Sequence, residues 1–312
     1  MLPPLRLLKG LSARCWLVAG GSGSSLTSMA AAMSTETTPR PTAYFVGSTG
    51  EKLERSSFLR RITESEASII CVGENHEDAE AQALELEVLR GVHAGHPDKR
   101  LAMSLEFYDR ESQAVLDEYL GGLVNLETFL SDSRPPANHE AYQPLIDHCK
   151  SCGLGVIASN CPRRYTRMVS RGGRSALDAL QGAQAGRSLL PPLPYRAASQ
   201  AYKDNFIAIM KAMGNENPNV PTSMLDAQAL WDATMADSLA KASAKGLNKI
   251  IHITGYFHIQ YGLGTMEHLS HALPDTKVLT VVILPSENLD RLDESLRNIG
   301  DLVALTDINA LG

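Results

Sequence analysis

Long hydrophobic runs, basic charge and cysteine are all scarce in this chain of 312 residues. No apolar stretch approaches the ~20 residues that a membrane-spanning helix needs, so a protein that spans a membrane is not expected. The formal net charge is −6 at pH 7, and nothing in it suggests a nucleic-acid binder, which is expected to carry a basic surface. The five cysteines, Cys15, Cys71, Cys149, Cys152 and Cys161, are sparse and odd in number. That pattern is unlike a secreted disulfide framework, and a reducing compartment is the simpler reading. What is present, 44% hydrophobic and 21% charged residues, is the composition of a globular protein long enough to bury a sizeable core.

Residues 1–43 differ from the rest. They carry Arg6, Lys9, Arg14 and Arg40 against one acid, Glu36, in a background rich in Ser, Thr, Gly, Ala and Pro. A basic, serine-rich, acid-poor leader reads as an organellar transit peptide, of a mitochondrion or a plastid. Lys9, Gly10 and Arg14 interrupt the apolar stretch that a secretory signal would need. The alternatives are a disordered tail on a cytoplasmic protein, or an upstream extension with the true start at Met29 or Met33. Gly20–Ser25 is glycine-rich but lacks the lysine of a phosphate loop, and reads as linker.

Residues 44–312 read as one α/β domain. Strand-like runs at Ser68–Val72, Arg100–Phe107, Leu154–Ser159, Lys249–Thr254 and Lys277–Leu284 alternate with helix-like stretches. This alternation predicts βαβ units and a mostly parallel sheet flanked by helices. Two long helical stretches, Ser199–Met213 and Met224–Ala244, break the rhythm and predict a helical insertion or lid around residues 199–244.

Two words of the form Gly-x-x-His, Gly73-Glu-Asn-His76 and Gly255-Tyr-Phe-His258, each follow a strand-like run. Ligands of open α/β sheets bind in the crevice beyond the carboxyl ends of the strands. On extended backbone Glu74 and His76 point the same way, and Gly73 is expected to let the chain bend. Two further strand ends add Glu106, and Asn160 with Arg163; Tyr256 and Tyr261 lie in or just after the second word. Taken singly, a strand-end histidine reads as the cap of a backbone group. Across four strand ends the coincidence reads as a cluster. Carboxylates with histidines suit a divalent Zn, Mn or Co ion that activates water, with His76, His258, Glu74 and Glu106 as ligands and Glu74 or Glu106 as general base. Tyr or His can instead ligate a haem iron, and Arg can pair with its propionates.

Weaker candidates read as structural. Cys149-Lys-Ser-Cys152 has redox or metal spacing beside His148, but it lies at a helix end and no second such pair completes a zinc site. His93, His96, His139, His268 and His271 need no special role. Gln228, Trp231, Asp232 and Met235 recur at helical steps and read as a packed face.

The words GENH, Leu105–Asp109, Gln113–Gly121, Asn160–Arg163, Gln228–Asp232 and Gly255–Gly262 resemble, in order, the ChaN-like haem-binding uptake family of the Tiki superfamily. The resemblance runs from about Ser68 to Gly264. It implies an α/β core whose site uses Glu74, His76, Glu106 and His258, with Asn160 and Arg163 in the family's Asn-x-Pro-Arg segment. It also implies haem as ligand, with Tyr256, His258 and Tyr261 as candidates for the iron. Related branches of the superfamily include metal-dependent peptidases and erythromycin-esterase-like hydrolases, which imply the alternative of peptide or ester cleavage. ChaN-type members are bacterial lipoproteins, whereas this leader lacks a lipobox, so an outer-membrane anchor is not expected. Haem or another small molecule is the expected partner, and a homodimer across the site is compatible with this reading.

Overall fold

The computed structural model describes residues 42–310 apart from 181, 213, 216 and 217. The leader reading therefore falls almost entirely on residues 1–41, outside the described residues. The chain enters through β1 (Thr42–Val46) and β2 (Lys52–Leu53), then α1 (Arg55–Thr63), β3 (Ile69–Glu74) and α2 (Ala79–Gly95). Next come β4 (Leu101–Asp109), α3 (Gln113–Leu120), α4 (Leu126–Ser133), α5 (His139–Cys152) and β5 (Gly155–Asn160). Four helices follow, α6 (Arg163–Gly172), α7 (Gln184–Ser188), α8 (Gln200–Ala212) and α9 (Thr222–Ala244). The chain closes through β6 (Lys249–Gly255), α10 (Thr265–Ala272), β7 (Val278–Ser286) and β8 (Leu302–Asp307).

The eight strands form one sheet in the order β2-β1-β8-β7-β3-β6-β4-β5. The six from β8 to β5 run parallel, and only β1 and β2 are antiparallel additions at one side. The strands read as unbroken apolar runs because both faces are covered. Ile70, Val72, Ile251 and Ile253 meet α1 to α5 on one face. The alternate residues Ile69, Cys71 and Ile250 meet Ala236 and Leu239 of α9 and Met266 and Leu269 of α10 on the other. The β-branched residues suit this pleated, doubly packed surface. Sequence reasoning did not assign β1, β2, α1 or β8. They stand at one flank of the sheet, where Tyr44, Phe58 and Ile62 join the core.

The expected helical insertion is present as α8 and α9, and α9 is firmly seated. Arg110, at the end of β4, donates to Ser238 Oγ, to the carbonyls of Thr234 and Leu190, and to Asp237. Ser238 Oγ in turn donates to the Ser159 carbonyl of β5 at 2.8 Å. These bonds lock α9 across the sheet. The four strand ends carrying the sequence words, β3, β6, β4 and β5, prove to be immediate parallel neighbours.

Candidate functional site

The two Gly-x-x-His words interlock. A Cβ on Gly73 would lie 2.7 Å from Tyr256 Cα, inside the second word. A Cβ on Gly255 would lie 2.9 Å and 3.0 Å from Cε1 and Nε2 of His76, inside the first. Each glycine thus makes room for the other word. Neither has the left-handed backbone that favours glycine, so the bend expected of Gly73 gives way to close approach as the reason for the residue. Glu74 is paired in register with Gly255 across β3 and β6.

This packing sets His76 beside Glu106. His76 Nδ1 pairs with Glu74 Oε1 at 3.0 Å, and the side chain of Gln82 and that of Asn138 hold the His76 carbonyl at 3.1 Å and 3.0 Å. Asp78 caps α2 just beyond, accepting from the Glu80 and Ala81 amides. Tyr142 of α5 donates to the same Glu74 oxygen, and its ring stacks on Phe107 at 3.9 Å between centroids. Phe107 stands edge-on to the His76 ring. His76 keeps 24% of its side chain exposed, while Glu74 is fully covered.

The second histidine is held in the same manner from the other side. His258 Nδ1 pairs with Asp232 Oδ1 of α9 at 2.7 Å, and its Nε2 lies 3.5 Å from Glu106 Oε1. Thr265 donates to the same Asp232 oxygen at 2.9 Å. Glu106 Oε2 accepts from Thr254 Oγ1 at 2.5 Å and from the Gly255 amide at 2.8 Å. The result is a glutamate between two histidines, each histidine oriented by a carboxylate behind it. Carboxylate–histidine pairs of this kind fix the tautomer and raise the basicity of the outward nitrogen.

Charge follows from this arrangement. Burial works against the Glu106 carboxylate, but the charges of His258 and His76 and the two hydrogen bonds outweigh it and hold its pKa at about 2. Burial likewise works against the His258 cation, and Glu106 and Asp232 outweigh it, raising the pKa to about 9. His76 is also raised, since its bond to Glu74 and the charges of Glu106 and Glu74 overcome its burial. Glu74 itself is pushed up by burial. Behind it Glu85 of α2 is driven well up by burial and by the Glu74 charge.

The remaining expected residues divide. Asn160 is buried at the end of β5, where its side chain accepts from the Cys161 amide at 2.9 Å; Arg163 opens α6 and is exposed. Both stand at the same sheet edge, one strand beyond β4. The two tyrosines do not join the cluster. Tyr256 turns into the apolar layer with Phe45, Ile259 and Leu284, and Tyr261 donates its hydroxyl to the Ser295 carbonyl at 2.8 Å. Sequence reasoning missed Asp232, read as part of a packed helix face, and Tyr142 and Glu85, which carried no motif. It also passed over His252, one residue pair further down the sheet, whose Nδ1 meets Ser104 Oγ at 3.0 Å. Burial lowers the His252 pKa to about 4, so the ring is neutral. Polar residues within the apolar strands Leu101–Asp109 and Lys249–Gly255 were the signal available for His252 and Ser104.

A doubly covered parallel sheet with carboxylates and histidines gathered at its carboxyl edge defines an α/β protein whose candidate site lies where open sheets of this class bind ligands. A model of the haem-binding uptake family of the Tiki superfamily, ChaN, matches residues 63–269, and the chain belongs to that family. Its fold is similar to that of the solved structure described as cofacial haem binding to ChaN of Campylobacter jejuni, with a TM-score of 0.64 and 14% identity over 85% of this chain and 97% of that one. Among curated proteins it is similar to Protein RETICULATA-RELATED 5, chloroplastic, of Arabidopsis thaliana, 25% identical over 264 residues. That match takes in 78% of this chain and 35% of the relative, so the chain spans about a third of the relative's length.

Proposed function

We propose that this protein binds haem, or a related iron tetrapyrrole, at the sheet edge built by the two Gly-x-x-His words, with His76 as the residue that meets the iron. Membership of a haem-binding family supports the ligand. The observation that carries the residue is the state of His76: Nδ1 is committed to Glu74, the ring is partly exposed, and Phe107 lies edge-on beside it. A histidine held in this way, with an apolar ring beside it, would be suited to hold a haem iron. His258, held by Asp232 and only 6% exposed at its side chain, acts as a charged neighbour of Glu106 rather than as the first contact. Haem, when bound, would supply an iron centre whose affinity and potential are tuned by the protein groups around it. Glu74 orients His76 and keeps it the right tautomer, Tyr142 orients Glu74, and Phe107 supplies ring surface. A plastid location belongs to the same proposal and is supported by the chloroplastic relative; dimerisation across the site on loading belongs to it as well.

The second reading is a metal-dependent hydrolase using His76, His258, Glu74 and Glu106. The paired carboxylate–histidine arrangement favours it. Against it, three ligand atoms of this cluster do not come within 4.8 Å of one another among the described residues, whereas a single zinc ion draws its donors to about 2.0–2.3 Å.

Haemin titration followed by absorption separates the readings. A saturable Soret shift that weakens in His76→Ala supports the first. Absence of a shift, together with metal-stimulated ester or peptide cleavage, supports the second.

A further inference from the structure

We propose that the last turns of α2 and α5 form a second, independent metal site, in which His93, His148 and Cys152 take a zinc ion. Sequence spacing had drawn attention to Cys149 with Cys152, but Cys149 is buried in the core while Cys152 is exposed. The grouping that the fold makes is different. His148 and Cys152 are four apart on α5 and share one face, and α2 packs against α5 so that His93 meets them. One ligand atom from each of the three lies within 4.8 Å of the others. The His93 and His148 rings are 5.6 Å apart between centroids, and Cys152 Sγ is 3.9 Å from both ring nitrogens of His148.

The donor set suits zinc. Two imidazoles and a thiolate are borderline-soft ligands, and three protein donors with a water in the fourth position is a familiar open zinc geometry. Bond lengths of about 2.0–2.1 Å to nitrogen and 2.3 Å to sulfur give tetrahedral edges of about 3.3–3.6 Å. The remaining closure of about an ångström falls on side chains that are exposed at Cys152 and half-buried at the histidines, so torsions supply it without moving a helix. Backbone favours a cation here as well. His93 lies in the last turn of α2 and Cys152 is the last residue of α5, so the negative ends of two helix dipoles converge on the site. Among the described residues Cys152 is the one exposed cysteine; Cys71, Cys149 and Cys161 are buried. The site lies on the helical layer that also contains Glu85 and Tyr142, and it contains none of the residues assigned to haem.

Cobalt(II) titration of the full chain, under reducing conditions, tests the proposal because thiolate–cobalt charge transfer reports the sulfur directly. The haem cluster contains no cysteine and cannot give that band. The expected result is a band that saturates at one equivalent, is displaced by zinc, and is absent in Cys152→Ser. His93→Gln and His148→Gln, each at a half-buried position, should weaken binding at least tenfold. The Soret response to haemin should be unchanged in Cys152→Ser. Zinc should raise the melting temperature of the parent protein and not of Cys152→Ser. A parent protein without the band, a band that persists in Cys152→Ser, or unaltered affinity in His93→Gln would each overturn the proposal.

Discussion

Substituting alanine at the two interlocked glycines should produce opposite phenotypes. At Gly73 the new methyl would sit 2.7 Å from the Cα of Tyr256, with Ile259 side-chain atoms at 2.8 Å and 3.0 Å. Backbone on the facing element cannot rotate away, so β3 and the turn after β6 must separate by the better part of an ångström. Overpacking of this kind costs about 1–3 kcal/mol. For a domain of this size each kcal/mol shifts the melting temperature by about 2–4 °C, so Gly73→Ala should melt roughly 2–12 °C lower. At Gly255 the methyl meets the tip of His76, at 2.9–3.0 Å, and Glu106 Oε2 only at 3.7 Å. A partly exposed ring can swing outward, so stability should fall by less than about 1 kcal/mol. The swing breaks the bond from His76 to Glu74, and haemin affinity should fall at least tenfold. Circular dichroism melts and haemin titrations on both variants make the comparison. If Gly255→Ala melts as low as Gly73→Ala while binding haemin normally, the interlocking argument is wrong.

Four further outcomes follow from the charges. His258 has its folded pKa raised to about 9 from the ordinary value near 6.5. Its contribution is therefore fully present below about pH 6.5 and lost as pH rises through about 9, on the order of 3 kcal/mol; denaturant melts across pH 6–10 should show the decline, and a flat profile would count against it. Glu106, held at about 2, works in the opposite sense: its contribution is present above about pH 4.5 and lost as pH falls toward 2. Asp232→Asn removes the anion behind His258, so the imidazole pKa read by NMR should drop, and an unchanged value would show that Asp232 is not its partner. Glu85→Gln should leave stability within about 1 kcal/mol, because a neutral amide replaces a carboxyl whose ionised form is disfavoured by burial and by the Glu74 charge; a loss above about 3 kcal/mol in denaturant melts would count against this.

The sequence made the strand ends legible because the strands Ile69–Glu74 and Lys249–Gly255 are buried along their whole length and so appear as apolar runs that stop at a glycine. The two histidines and Glu106 could be placed at a shared edge from topology alone. Strand order could not be read. Nothing local says that β6, late in the chain, inserts between β3 and β4, and this insertion brings His258 beside Glu106 and Gly255 beneath His76. Asp232 was hidden for a physical reason: on a helix with both apolar and polar residues buried, a buried acid has the same spacing as a packing residue. The tyrosines misled because a residue's place next to a motif says nothing about which way a 3-10 turn sends its side chain. Tyr256 enters the core, and the turn containing Tyr261 is left-handed at that residue. Cys149 and Cys152 read as structural from their place at a helix end, and their spacing alone does not show that Cys149 is buried while Cys152 is exposed.

The most direct test of the account is haemin titration of the full chain and its His76→Ala, Cys152→Ser and His268→Ala variants, read at the Soret band. His268 serves as the contrast because it lines a separate cleft of about 500 Å³ with Arg196, Met266 and His271. The expected result is saturable binding in the parent, Cys152→Ser and His268→Ala proteins, weakened at least tenfold in His76→Ala. Binding that survives in His76→Ala, or is lost in His268→Ala instead, would contradict the assignment of haem to the interlocked Gly-x-x-His words.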